Sequence, residues 1–265
     1  MKPIVALFTD FGVRDPYVAQ MKGAILSVDA GLTVVDLNHE VPAFNVRQAA
    51  YLLEASSRYL PAGSIVVTVV DPGVGTERRP VLCGTRSGRW FVGPDNGLLT
   101  LVLESQGLGE AYELTEAAYF RSPVSATFHG RDIFGPVAAH LARGVSPSEF
   151  GPRVETLHTL SFGSPRVAGG TVAGEILHVD HYGNIISNVT PDLVARLQVG
   201  RRLSFVIDGR RWTAPFCATY GTQPAGSLIT LVSSSGTLEI ACTEGSAAAR
   251  VKAGAGDAII FEHSN

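Results

Sequence analysis

The sequence predicts an α/β chain in two parts: an N-terminal, mostly parallel sheet with helices on both faces, followed by a small C-terminal antiparallel β-barrel. Three observations carry this. Apolar strand-type runs alternate with helix-period segments from the start of the chain, the order of a sheet whose crossovers are helical. Beyond about residue 165 the alternation gives way to short β-rich runs separated by turn residues, the pattern of a small barrel. At 265 residues, 45% hydrophobic and 17% charged, the chain is long and apolar enough for one large domain or two smaller ones with sizeable cores.

The elements run in order along the chain. "IVALFT" (4–9) is a short apolar run, read as a buried strand. From Asp15 to Val28 the spacing is helical, with Val18, Met21, Ile25 and Val28 on one face, Asp15 as the cap and Pro16 in the first turn. "TVVDL" (33–37) is a second strand, and "NVRQAAYLLEASSRYL" (45–60) an amphipathic helix capped by Asn45. "SIVVTVV" (64–70) is a third strand, which completes a β-α-β-α-β order. "GPDNGLL" (93–99) is a tight turn opening a helix. "RDIFGPVAAHLARG" (131–144) is a later helix that ends at a glycine. "SFGSPRVAGG" (161–170) reads as the linker, dividing the chain into domains 1–163 and 164–265. The second domain holds the strand-like runs "GTVAGEILHVD", "NIISNV", "RLSFVID", "SLITLV", "TLEIAC" and "AIIFE", with "TPDLVARL" (190–197) as its helix.

Composition excludes several function classes. Net charge is −3 and no Lys/Arg run exceeds two, so the basic stripe of a nucleic-acid surface is missing. The apolar segment "PIVALF" is too short for a signal core or a membrane span. Cys83, Cys217 and Cys242 are odd in number, far apart and without CxxC spacing, which gives neither a disulfide framework nor a zinc knuckle. A cytoplasmic enzyme is expected.

The residues able to carry chemistry cluster at strand ends and turns. Asp10 ends the first strand and Asp71 the third; in a parallel sheet both face the crevice beyond the carboxyl ends, unless each only caps the adjoining helix or turn. In "VVDPGVGTERRP" (69–80) a rigid-then-flexible loop returns Arg78 and Arg79 toward Asp71. That is either a turn with a structural ion pair or a site for a small polar reactant. His129, in "TFHGRDIFGP", is a general base, a hydrogen-bond partner or a filled loop position. "VDHYGNIISN" gathers Asp180, Tyr182 and Asn184, and "SSSGTLEIA" places Ser234 in a turn and Glu239 on the strand after it. Tyr182 can stack on a ring and Asn184 can read a base edge; each also suits a plain β-turn. His178 and His181 fall on opposite faces of an extended strand, and no HExxH or Cys/His set supports them, so no metal is expected. No GxGxxG or P-loop is present.

Seven separated segments, "TDFG", "VVDLNHEVPAFN", "VVDPGVGTERRP", "PDNGLL", "TFHGRDIFGP", "DHYGNIISN" and "SSSGTLEIA", together resemble the S-adenosyl-L-methionine hydroxide adenosyltransferases, relatives of the fluorinase and chlorinase enzymes. The resemblance spans residues 4 to about 249. It implies an N-terminal α/β domain, a C-terminal β-barrel and a homotrimer with sites between neighbouring subunits. It implies substitution at the ribose C5′ of S-adenosylmethionine with methionine as leaving group, and hence no metal or organic cofactor, since a sulfonium leaves unaided. For the hydroxide-using branch it implies a catalytic set of Asp71, Arg78 and His129, with either Asp71 or His129 taking the proton from water. By the same resemblance Asp10 binds the ribose hydroxyls, Phe44, Phe128 and Tyr182 line the pocket, Asn184 reads the adenine edge, Asp180 and Ser234 hold the methionine part, and Glu239 lies within a matching segment. The halogenating relatives carry Tyr in place of Asp71, and the fluorinase carries Ser in place of Gly130. A carboxylate beside the nucleophile repels a halide, so hydrolysis to adenosine and methionine is expected, with halide transfer or a non-catalytic nucleoside-binding role as the alternatives.

Overall fold

The computed structural model describes residues 3–195 and 202–263. The chain splits into two compact units, Met1–Leu160 and Ser161–Asn265.

In the first unit, β1 (Ile4–Thr9), α1 (Tyr17–Val28), β2 (Thr33–Asn38), α2 (Val46–Ser57) and β3 (Ile65–Val69) alternate as expected. They are followed by β4 (Pro80–Thr85), β5 (Trp90–Pro94), α3 (Thr100–Gln106), β6 (Leu108–Glu113) and α4 (Gly135–Ala142). The six strands lie in the order β2-β1-β3-β5-β4-β6. β2, β1, β3 and β5 are parallel to one another, and β4 runs antiparallel to both β5 and β6. Both faces of β1 are covered, which is why it reads as one continuous apolar run. Val5 and Leu7 pack with Met21 and Ile25 of α1 and Val137 of α4. Ala6 and Phe8 pack with Ala49 and Leu53 of α2 and Val102 of α3.

Two expected details change. α1 begins at Tyr17 behind Pro16, with no side-chain cap bond, so Asp15 lies outside the helix start and does not cap it. The segment from Gly130 to Phe134 is a π-helical turn that runs into α4. Asn45 does cap α2, its side chain accepting the Gln48 N–H at 2.9 Å.

The second unit holds β7 (Arg166–Ala168), β8 (Thr171–Val179), β9 (Ile185–Ser187), α5 (Pro191–Ala195), β10 (Arg202–Ile207), β11 (Arg210–Pro215), β12 (Leu228–Val232), β13 (Leu238–Cys242), α6 (Ala247–Val251) and β14 (Ala258–His263). The end of the expected helix, Arg196 and Leu197, lies outside the described residues. β7 falls inside the expected linker and pairs with β8. The path β11-β10-β14-β8-β9-β13-β12 is antiparallel at every step. It nearly closes on itself: past β11 the Cys217 N–H donates to Thr230 O on β12 at 2.8 Å, next to a parallel bridge between Phe216 and Thr230. Closure of this kind leaves little free edge.

Candidate active site

β1 and β3 are adjacent and parallel, with Thr9 opposite Val69. Asp10 and Asp71, just beyond the ends of these strands, therefore leave the sheet at the same edge, where open α/β sheets hold ligands. Both line a cavity of about 370 Å³, together with Tyr17, Phe44, Phe128 and His129. Asp10 Oδ2 accepts the Phe44 N–H at 2.9 Å. Burial pushes the Asp10 carboxyl above the usual aspartate value, against that hydrogen bond, and the charge of Asp71 adds to the rise. Phe44 itself is 73% exposed and holds a left-handed φ of 65°.

The loop after β3 turns twice. Val74 N–H donates to Asp71 O at 3.2 Å, and Thr76 N–H to Gly73 O at 3.1 Å. At Gly75, with φ 75°, a Cβ would lie 2.4 Å from Ala126 O, so only glycine lets this loop close on the segment that carries His129. The double turn brings Arg78 back to Asp71. Arg78 Nε donates to both carboxylate oxygens at 3.0 Å, and Nη2 also donates to Oδ2. The pair is deeply buried, with side-chain exposures of 9% and 3%. The neighbouring Arg79 goes elsewhere, donating to Asp95 Oδ2 from Nη2 at 2.6 Å and to Thr156 O at 2.9 Å.

His129 completes the cluster. Arg78 Nη2 lies 2.9 Å from His129 Nδ1. A guanidinium only donates, so Nδ1 accepts, and the neutral ring carries its proton on Nε2. Burial and the Arg78 charge hold the imidazole below its ordinary pKa, the carboxylates of Asp71 and Asp132 opposing them. Arg78 Nη1 is buried and has no hydrogen-bond partner, which leaves one donor of the cluster uncommitted.

The second unit carries a separate cavity of about 610 Å³ whose lining includes Asp180, Tyr182, Asn184, Tyr220 and Ser246. It is built on the β8–β9 turn. Asp180 Oδ1 accepts the N–H groups of Tyr182 and Asn184, and Oδ2 accepts Asn184 Nδ2, each at 2.9 Å. The Asn184 amide is thereby oriented with its oxygen unclaimed by Asp180. Tyr182 is 74% exposed. Glu239 is buried and accepts the Tyr220 hydroxyl at 2.8 Å. Burial raises the carboxyl of Glu239, opposed by the Tyr220 bond, and raises the phenol of Tyr220 as well. Ser234 stands exposed in the turn between β12 and β13 and is not among the lining residues. Among the described residues no group of three or more His, Cys, Asp or Glu is placed to hold a metal ion.

Sequence reasoning missed Phe11, Tyr17 and Tyr220. Phe11, Tyr17 and Phe128 meet edge to face or tilted at 5.5–5.7 Å, an aromatic wall on the first cavity. Phe11 and Tyr17 had a faint signal, since both flank the turn that leaves β1. Tyr220 had none, because its link to Glu239 spans 19 residues and two strands.

Residues 5–151 match the SAM hydroxide adenosyltransferase N-terminal domain, and residues 174–260 match the C-terminal domain of the same family. The chain belongs to the SAM hydroxide adenosyltransferase family. A family member from Thermus thermophilus named (R)-S-adenosyl-L-methionine hydrolase is 42% identical, over 93% of this chain and 94% of its own. A fluorinase from an Actinoplanes species is 31% identical over 78% of this chain and 79% of its own. The crystal structure of an uncharacterized conserved protein from Thermotoga maritima superposes with a TM-score of 0.95 at 34% identity, covering 98% of this chain and 100% of that one.

Proposed function

We propose that this chain is an S-adenosyl-L-methionine hydrolase. Water attacks the ribose C5′ as the C5′–S bond breaks, and adenosine, L-methionine and one proton leave. The observation that carries the reading is the cluster of the buried Asp71–Arg78 pair with the half-buried His129, at the cavity that also holds Asp10. The relative from Thermus thermophilus is named for the (R) form of the substrate, and we extend that sulfonium configuration to this chain.

Asp10 takes the ribose hydroxyls, a task for a carboxylate with two acceptor oxygens. The nucleophilic oxygen sits at the Asp71–Arg78–His129 cluster, where the uncommitted Arg78 Nη1 and the His129 Nε2–H are donors that stabilise hydroxide character. His129 uses its only lone pair on Arg78, so the proton from water goes to Asp71. The second-unit cavity supplies recognition of the base and of methionine through Tyr182, Asn184 and Asp180. Ser234, which the resemblance assigns to the same task, and Glu239 stand outside its lining, Glu239 reaching it through the Tyr220 hydroxyl. The same Asp71 carboxylate repels a halide, which weighs against the chemistry for which the fluorinase relative is named. A homotrimer with shared sites completes the proposal. So does a cytoplasmic location, which the three free cysteines fit.

The test is incubation with S-adenosylmethionine in water enriched in heavy oxygen. Adenosine should carry the label on its 5′-hydroxyl, methionine should carry none, and the (R) sulfonium form should be consumed in preference to the (S). A chlorinated nucleoside in the presence of chloride would replace this reading with halide transfer. No turnover of either epimer would leave a nucleoside-binding protein.

A further inference from the structure

We infer that the ion pair between Arg131 and the buried Asp132 is a positioning device that holds His129 against Arg78 and Phe128 against the cavity. The kinetic part rests on the hydrolase reading; the positional part does not.

Segment 121–129 delivers Thr127, Phe128 and His129 to the cavity wall. Asp132 is fully buried and grips this segment at two points. Its Oδ2 accepts the Ser125 N–H at 2.9 Å, and its backbone O accepts the Arg121 N–H at 2.8 Å. A buried carboxylate is costly unless paired and hydrogen-bonded. Here Arg131 supplies the pair as a fork, Nε to Oδ1 and Nη2 to Oδ2, each at 2.7 Å, and Arg121 Nη1 stands 3.6 Å from Oδ1.

Arg131 has a second contact. Its guanidinium carbon lies 4.9 Å from the centre of the Phe128 ring, within cation–π range. Phe128 in turn meets Phe11 and Tyr17 edge to face. Arg131 and Asp132 are sequence neighbours, and both lie on the π-helical turn from Gly130 to Phe134. Consecutive residues of a regular α-helix do not face each other, and π turns recur at functional sites. One ion pair therefore ties the anchor of the His129 segment to the aromatic wall of the cavity.

Nitrogen-15 NMR of the histidine rings reads the position of His129 without any substrate. The parent protein should show the single Nε2–H tautomer that the Arg78 contact imposes. In Asp132→Asn the imidazole should become a mixture of tautomers, and kcat should fall at least tenfold. Arg131→Met keeps bulk over Phe128 but loses the charge and the fork. It should raise KM several-fold, and Arg131→Lys should fall between it and the parent. A folded Asp132→Asn with the parent's tautomer and the parent's kcat overturns the inference and leaves a purely structural ion pair. Should Asp132→Asn not fold, Arg131→Met decides in the same way, unchanged KM and tautomer counting against. If the parent fails to hydrolyse S-adenosylmethionine yet the tautomer responds in Asp132→Asn, the hydrolase reading falls and the positional one stands.

Discussion

Arg78 and Arg79 stand side by side in sequence and end on different carboxylates, Asp71 and Asp95. The sequence places a carboxylate and two cations around one loop, because a Pro-Gly turn of this length must fold back. Which arginine returns is set by the double turn and by the approach of the Ala126 segment, neither of which leaves a periodic trace. The difference should be measurable. Removing Arg78 takes away both the partner of a buried carboxylate and the donor to His129 Nδ1. Arg78→Ala should lower kcat on the order of a hundredfold or more, with a smaller change in KM. It should also cost about 3–5 kcal/mol of stability, the usual result of stranding one half of a buried pair. Arg78→Lys separates the two effects, since it keeps the charge but loses the fork; it should remain folded and still turn over slowly. Arg79→Ala should lower the melting temperature while kcat stays near the parent value. Steady-state kinetics beside thermal denaturation checks all three. Equal kinetics for Arg78→Ala and Arg79→Ala would reduce the loop to a structural turn.

At the scale of elements, legibility followed locality. α2 was readable because its period and its Asn45 cap lie within one stretch. The Asp15 cap failed because Pro16 takes the entry position of α1. β4 and β6 went unread because each needs a partner to be a strand. β4 begins at a proline and holds Gly84 against the ring of Trp90, and β6 carries glycine and glutamate among its apolar residues. In the second unit, α6 is short and capped by Ser246, whose side chain accepts the Ala249 N–H at 3.0 Å. That cap explains Gly183 in the β8–β9 turn. Its φ is 82°, and a Cβ there would fall 2.1 Å from Ser246 Oγ. Gly183→Ala must strain the turn and dislodge the cap together. The combined loss should be about 2–4 kcal/mol, from an overpacked contact and a lost N-cap. Gly209→Ala is the control, for its φ is 68° but nothing lies within 4 Å of the added carbon; it should cost about 1 kcal/mol, the strain of the backbone alone. Chemical denaturation of both variants decides the point, and equal losses would mean that the Ser246 contact is of no consequence.

At the scale of the whole molecule, the change from alternating helix and strand to all-strand is written in the sequence because the hydrophobic period itself changes. Strand order is not. Nothing local places β5 beside β3 with β4 outside it, or brings the end of β11 to β12. Assembly is further still from local pattern, and the proposed trimer rests on the sequence resemblance and on two side chains. Phe44 and Tyr182 line the two cavities, one in each unit, yet are 73% and 74% exposed. Large aromatics left bare at binding cavities are typical of surfaces that a partner or ligand covers. The expected assembly is a closed ring of three copies in which each site draws on two of them. Light scattering should give about three times the chain mass of 28.0 kDa. Mass alone does not establish shared sites, but complementation does. Arg78→Ala disables one cavity and Asn184→Ala the other, so each variant alone should be nearly inactive. In mixed trimers of the two, a site that takes its first-unit cavity from an Asn184→Ala copy and its second-unit cavity from an Arg78→Ala copy is intact. Random mixing in a ring of shared sites should therefore restore about one site in four. A mixture that regains no activity would confine each site to a single copy. A monomer mass with full activity would remove the need for assembly altogether.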